Sequence, residues 1–489
     1  MYHQINPTEM FREHHLALLE EAEERRLARR LRAGREPKAR SVIAASSGFL
    51  AALVVAGLML VALSSPAHAS TTFTVNSTAN TGDSSPDGTC DSCTLREAIQ
   101  EANSNNNPTE TDRINFNISD SVDPGVKTIS PGAALPQITE PVIINGYSQP
   151  GSSVNALEEG TNAKLMIELN GTKVESGDGL QIAAKNTVVK GLVINSFGFA
   201  GIALFGGSDA DGAKIQGNFI GTNPTGESDE GNDSDGVRIT GNSNVVVGGT
   251  SRGTRNLISG NRLAGITFFN FETGSNNKVQ GNLIGTHKDG SGNLGNGDSG
   301  VAILANEPNN SATTVENNTI AFNGSIGAAR GTDGVALFGD VGTTDTILSN
   351  SIFSNDGLGI DLVDFPDEDG LTDVSNANDP GDTDEGPNDL QNKPVLTSAK
   401  TSGTKLTIVG NLNSTPNRTF TVQFFSNPSG GDEGKTFRAQ RSVTTNDNGN
   451  ASFSFGFDVA VPVGQSMTAT ATGARDTSEF SAPRAVVAQ

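Results

Sequence analysis

The chain has 489 residues, 18% of them charged, and a formal net charge of −22. That length exceeds one ordinary globular core. The charged fraction is low for a coiled coil or helical bundle, and apolar residues at 34%, spread in short runs, exclude a disordered chain.

Gly supplies 58 residues and Asn 47. Both stand between short β-branched runs, the mark of a repetitive all-β protein with many turns. Residues 1–40 carry nine Lys/Arg against seven Asp/Glu, which leaves −24 on the remainder. A body this acidic repels nucleic acid and anionic membrane, so neither is an expected partner. It suits an exported protein, or one that gathers cations.

Val42 to Leu63 are 22 residues without a charge, long enough to span a bilayer. Arg25, Arg26, Arg29, Arg30, Arg32, Arg35, Lys38 and Arg40 precede them. Basic flanks stay in the cytoplasm, so residues 1–40 read as a cytoplasmic basic region and the chain beyond residue 64 as exported. Ala67-His68-Ala69 gives a small-x-small pattern. Residues 41–69 are therefore a signal peptide cleaved after Ala69, or else an uncleaved membrane anchor.

Cys90 and Cys93 are the two cysteines. Outside the cell they read as a short disulfide; a redox pair would need a βαβ context that the sequence lacks. Thr94 and Glu97 form a capping box. Leu95, Ala98, Ile99 and Ala102 then fall on one helical face. Such a helix ahead of a β repeat covers the open hydrophobic end of the stack.

Phe73-Thr74-Val75-Asn76, the acidic Gly-rich loop and Cys93-Thr94-Leu95-Arg96-Glu97-Ala98-Ile99-Gln100-Glu101-Ala102-Asn103 together resemble the CSLREA module of exported bacterial proteins. Thr94 stands where the module's name has Ser. The resemblance implies an N-terminal cap over residues 70–125, followed by a right-handed parallel β-helix of the pectin-lyase-like shape. It implies no settled activity.

One phrase then recurs: Gly, apolar, any residue, apolar. It stands at Gly179–Ile182, Gly201–Leu204, Gly236–Ile239, Gly265–Phe268, Gly300–Ile303, Gly334–Leu337 and Gly359–Leu362. Further apolar runs lie between the copies, often led by Asn, as in Asn218-Phe219-Ile220 and Asn282-Leu283-Ile284. Residues 201–240 align without a gap with 265–304, identical at 16 of 40 positions, which is a duplication of two coils. Three short strands per period describe a coil with three faces, stacked at about 4.8 Å. Gly and Asn suit left-handed geometry at the corners, and Asn amides at equivalent corners can bond from coil to coil. A propeller would need longer, four-stranded repeats. Residues 126–363 are thus predicted as a β-helix of about nine or ten coils, roughly 45 Å long.

From Asp361 to Asp389 there are 11 acidic residues and no Lys or Arg. Residues 364–393 read as a solvated acidic linker. A sharper reading is Ca²⁺ ligation by Asp367, Asp369, Asp379, Asp382 and Asp384, hard oxygen ligands on Gly-containing turns, although the spacing is not that of an EF-hand. Residues 394–489 alternate short strands with turns, at the length of an immunoglobulin-like β-sandwich. They resemble the C-terminal sandwich that often follows such β-helices.

The outward positions of the recurring phrase are Gln181, Ala203, Arg238, Thr267, Ala302, Ala336 and Asp361. A lyase of the pectin-lyase-like fold needs carboxylates for Ca²⁺ and a basic residue on one such face. Arg238, with Asp233 and Asp235 just before it, is the candidate. His287 is the single histidine after Ala69, so no histidine pair and no Ser-His-Asp arrangement is expected. The chain has no Trp, and Tyr147 is the one Tyr after Ala69, which weakens stacking on sugars. The expectation is an exported, non-catalytic surface rod that adheres to or binds polar ligands such as glycans. The alternative is a polysaccharide lyase or glycoside hydrolase of this fold, and fold alone does not decide between them.

Overall fold

The computed structural model describes residues 70–82, 86–90, 93–104, 111–119, 125–270, 274–305, 312–324, 332–339, 343–364 and 375–489. The apolar segment 42–63, the Ala69 cleavage site, Asp367 and Asp369 lie outside them. No helix among the described residues is long and apolar enough to cross a membrane. Residues His68–Gln489 close on themselves as one compact unit.

Three parallel sheets wind into a β-helix. The first has nine strands, running from Thr72–Val75 and Asp112–Phe116 to Thr346–Leu348; the second has eight, from Lys127–Ile129 to Ser351–Phe353. The third has seven, from Leu180–Ile182 to Ile360–Asp364. Nine rungs at about 4.8 Å give a rod about 38 Å long. The stack begins at Thr72, so the first two rungs come from residues read above as the cap. Alternation sends Ile144, Val189, Ile215, Val247, Val279 and Val315 of the first sheet into one continuous core, all fully buried.

Helix α1 (Leu95–Ser104) closes the N-terminal end. Its capping box is formed: the Glu97 amide donates to Thr94 Oγ1 at 3.1 Å. Leu95, Ala98, Ile99 and Ala102 join the core beside Phe73 and Ile114. Cys90 and Cys93 are joined in a disulfide.

The glycines of the recurring phrase do a different job from the one the sequence suggested. Gly236 and Gly265 do not have a positive φ. A Cβ on Gly236 would lie 2.7 Å from the Gly265 carbonyl oxygen, and one on Gly265 2.7 Å from that of Gly300. Close approach between rungs, not a left-handed turn, therefore requires glycine there. The left-handed corners are elsewhere, as at Gly217 and Asn317 (φ 65° and 56°).

Asn ladders run up two corners. Between the first and second sheets, Asn218, Asn256, Asn282, Asn318 and Asn350 each pass a side-chain hydrogen bond to the next, at 3.2, 2.9, 3.0 and 2.9 Å. Before the third sheet, Asn232, Asn261, Asn296, Asn323 and Asn355 do the same. All but the last of these are buried, so each amide supplies the partners that water cannot.

The C-terminal residues 394–489 form a seven-stranded sheet around a second core of Leu406, Ile408, Phe420, Val422, Phe424 and Met467. This domain also seals the rod. Ile352 on the last rung pairs with Gly434 through two 3.0 Å backbone hydrogen bonds. Phe425 and Phe480, edge to face at 5.3 Å, belong to the core of the β-helix. The second Asn ladder continues into it: Asn355 Nδ2 donates to Glu433 at 2.9 Å. Described residues of the acidic segment are tied down too. Asn376 donates to the Leu362 carbonyl and to Glu479 at 2.7 and 3.0 Å, and Glu479 pairs with Lys393 at 2.9 Å.

Candidate functional site

The register of the third sheet places Gln181, Ala203, Arg238, Thr267, Ala302, Ala336 and Asp361 in one outward column, one per rung. Arg238 is brought together with Asp235 but not with Asp233. Its guanidinium meets Asp235 Oδ2 at 2.9 Å and also donates to the Ser234 hydroxyl. Thr267 Oγ1 donates to the other Asp235 oxygen at 2.8 Å. Asp233 is exposed and lies 3.8 Å from Arg262.

Asp298 completes this corner, and the sequence reading passed over it. Burial, and then the like charge of Asp235, push its carboxyl up to about 7, against hydrogen bonds from Ser299. It stands one position before Ser299, the duplicate of Asp235; the two-coil duplication was the signal that could have found it. The corner thus holds an arginine-paired carboxyl group, Asp235, near a second one, Asp298, whose pKa is raised to about 7, a combination that acid–base sites use.

The acidic segment supplies the second candidate. Asp379, Asp382 and Asp384 bring three carboxylate oxygens within 4.8 Å of one another. Asn392 N and Ser414 Oγ donate to the two oxygens of Asp382 at 2.6 and 2.7 Å. Thr383 donates to Asp379 Oδ2 through its amide and hydroxyl, at 3.0 and 2.9 Å. These bonds outweigh desolvation and hold Asp379 below the usual carboxylate range. Asp384 Oδ1 is buried without a hydrogen-bond partner. Burial and the charges of Asp379 and Asp382 push Asp384 up to about 6. Oxygen donors fixed on a loop, with one carboxylate oxygen, Asp384 Oδ1, left without a partner, fit a hard divalent cation.

The duplicated loops stack over the second sheet. Hairpins bridged at Thr222–Asp229 and Thr286–Asn293 touch directly, with His287 Nδ1 2.9 Å from Glu227. His287 therefore links the two hairpins through a side-chain hydrogen bond to Glu227. A Cβ on Gly226 would lie 2.9 Å from Leu257 and 3.2 Å from Phe219, so the hairpin lies on that sheet's apolar outer column.

No family model matches the chain, and no curated protein does. Among solved structures, it is similar to the crystal structure of a tailspike protein, gp49 from Acinetobacter baumannii bacteriophage Fri1, a capsular polysaccharide depolymerase. The identity is 10%, over 76% of this chain and 77% of that one, with a TM-score of 0.14. Backbones at that score do not superpose as one fold; the assignment here rests on the strand register.

Proposed function

We propose that this chain is an exported, non-catalytic rod of the cell surface that binds polar ligands, glycans among them. In this reading residues 41–69 export or anchor it, the β-helix is right-handed, and the C-terminal domain is an immunoglobulin-like sandwich serving as end cap. The observation that carries it is the state of Arg238: both Asp235 and Ser234 engage its guanidinium, and Thr267 engages Asp235 in turn. A base must be free to take a proton from substrate, and this one is closed within its own rung and the next. Asp379, Asp382 and Asp384 take Ca²⁺ and brace the junction. Asp298 favours a second reading, general-acid cleavage of a polysaccharide, because its carboxyl keeps a proton near neutral pH.

The test uses residues 70–489 with a panel of acidic and neutral polysaccharides in the presence of Ca²⁺. No unsaturated uronide and no new reducing ends are expected. Steady product formation abolished by Asp298→Asn or Arg238→Ala would replace the binding reading by the enzymatic one. In the same preparation millimolar Ca²⁺ raises the melting temperature and chelator lowers it. Asp384→Asn removes the difference, and a melting temperature indifferent to both additions rejects the cation site.

A further inference from the structure

The outer face of the first sheet is built differently from the other two. Its outward side chains form two columns up the rod. One reads Arg113, Ile143, Val188, Lys214, Val246 and Lys278 on successive rungs. The second includes Lys190, Gln216 and Gln280. Arg113, Lys214 and Lys278 are exposed and Lys190 is half-buried. Glu316, which accepts a hydrogen bond from Gln280, is the one acidic side chain in the columns up to Thr314–Glu316.

Several of the other cations are drawn to carboxylates, among them Arg252 to Glu158, Arg262 to Asp233, Lys288 to Glu227 and Lys393 to Glu479. Among the described residues no ion pair or side-chain hydrogen bond engages Arg113, Lys190, Lys214 or Lys278. The face is open along part of one edge. Corners leading to the second sheet such as Gly217-Asn218 and Gly281-Asn282 have only two residues, whereas the corner between Val246–Gly248 and Leu257–Ile258, on the rung between them, is an eight-residue loop. The second sheet, by contrast, lies under its own hairpins.

We infer that this face binds a linear acidic polysaccharide, one bearing carboxylates along an extended chain. Charge complementarity selects the occupant. Lys214 and Lys278 stand two rungs apart, about 10 Å, and Arg113 to Lys278 spans five rungs, about 24 Å. A straight row of cations at that scale meets a polymer charged on every sugar or every second sugar. The acidic remainder of the body does not cancel the attraction at physiological salt, because screening confines each charge to about 8 Å. This inference rests on the binding reading above and names its ligand class and surface.

Polygalacturonate, its methyl ester and neutral dextran serve as probes, titrated into residues 70–489 in 0.15 M salt by calorimetry. Polygalacturonate binds, the ester and dextran do not, and 0.5 M salt abolishes binding. The exposed double variant Lys214→Glu/Lys278→Glu weakens binding at least tenfold with an unchanged melting temperature. Lys400→Glu/Lys405→Glu, on the C-terminal domain, leaves it intact. Equal binding of the methyl ester, or an unaffected Lys214→Glu/Lys278→Glu variant, overturns the surface while leaving glycan binding standing. Binding to none of the three overturns this inference. A dimer in sedimentation that the double variant disperses, without polysaccharide binding, assigns the face to a second copy and overturns it as well.

Discussion

Glu433 is the terminal acceptor of the second Asn ladder, and its removal is the most searching perturbation of the rod's end. Its Oε1 accepts from the Asn355 amide and side chain at 3.3 and 2.9 Å, and its Oε2 accepts from the Ser354 amide. Burial pushes the carboxyl up to about 7, against those hydrogen bonds and helped by the charge of Asp432. The folded pKa thus lies above the unfolded value. The stability this group contributes is complete below the ordinary carboxylate range and is lost as pH rises through about 7. Between pH 5 and pH 8 the linkage amounts to about 2–3 kcal/mol. Glu433→Gln keeps the size and an acceptor but has no proton to lose. Urea unfolding of residues 70–489 at pH 5, 6.5 and 8, followed by far-ultraviolet circular dichroism, measures the difference. The variant should gain about 2–3 kcal/mol on the parent protein as pH rises from 5 to 8. A difference constant to within about 0.5 kcal/mol over that range refutes the assignment of a buried, proton-holding cap.

Two further perturbations probe the stack. Gly265→Ala forces a Cβ to within 2.7 Å of the Gly300 carbonyl and 2.9 Å of Ile284, costing about 1–3 kcal/mol by overpacking. Gly456→Ala, with nothing within 4 Å, should be neutral or stabilise by about 0.5 kcal/mol; equal effects at the two sites contradict the close-approach account. Asn282→Ala removes the acceptor of the Asn256 amide, one of the two acceptors of the Asn256 side chain, and the side-chain donor to the Val247 carbonyl. It should cost at least about 3 kcal/mol in urea unfolding, and a loss under about 1 kcal/mol removes the ladder from the account of stability.

The strands were legible because their pattern is short and repeated. Gly236-Val237-Arg238-Ile239 carries its period in four residues, and the register puts Val237 and Ile239 inside and Arg238 outside. The ladder Asn residues were legible for the same reason: they recur at one corner. The role of Gly236 was not, since sequence shows that a side chain is missing but not whether φ or a neighbouring rung demands it. Among site residues, Asp382 and Asp384 were legible as neighbours on one turn. Asp298 was not, because its raised pKa comes first from burial in the folded stack and then from the charge of Asp235, 63 residues earlier. Lys214 and Lys278 stood in view, 64 residues apart at matching places in the duplication. What hid them was that their significance is relational: they matter because, among the described residues, no ion pair engages them.

The end of the ladder shows why a carboxylate stands there at all. An Asn side chain is both donor and acceptor, so each rung hands its amide hydrogen to the next and needs another rung above. At the lower end the second ladder starts from a group that only donates, the Phe197 amide, bonded to Asn232 Oδ1 at 3.1 Å. At the upper end it stops on Glu433, whose two oxygens face three N–H groups. Ionised, both oxygens accept; protonated, the acid still accepts through its carbonyl oxygen and sheds the charge that burial disfavours. The same burial that excludes water from the joint raises its pKa. A polar ladder closed by an acid therefore makes the seam between rod and cap strongest in mildly acidic solution, and weakest where that acid is charged.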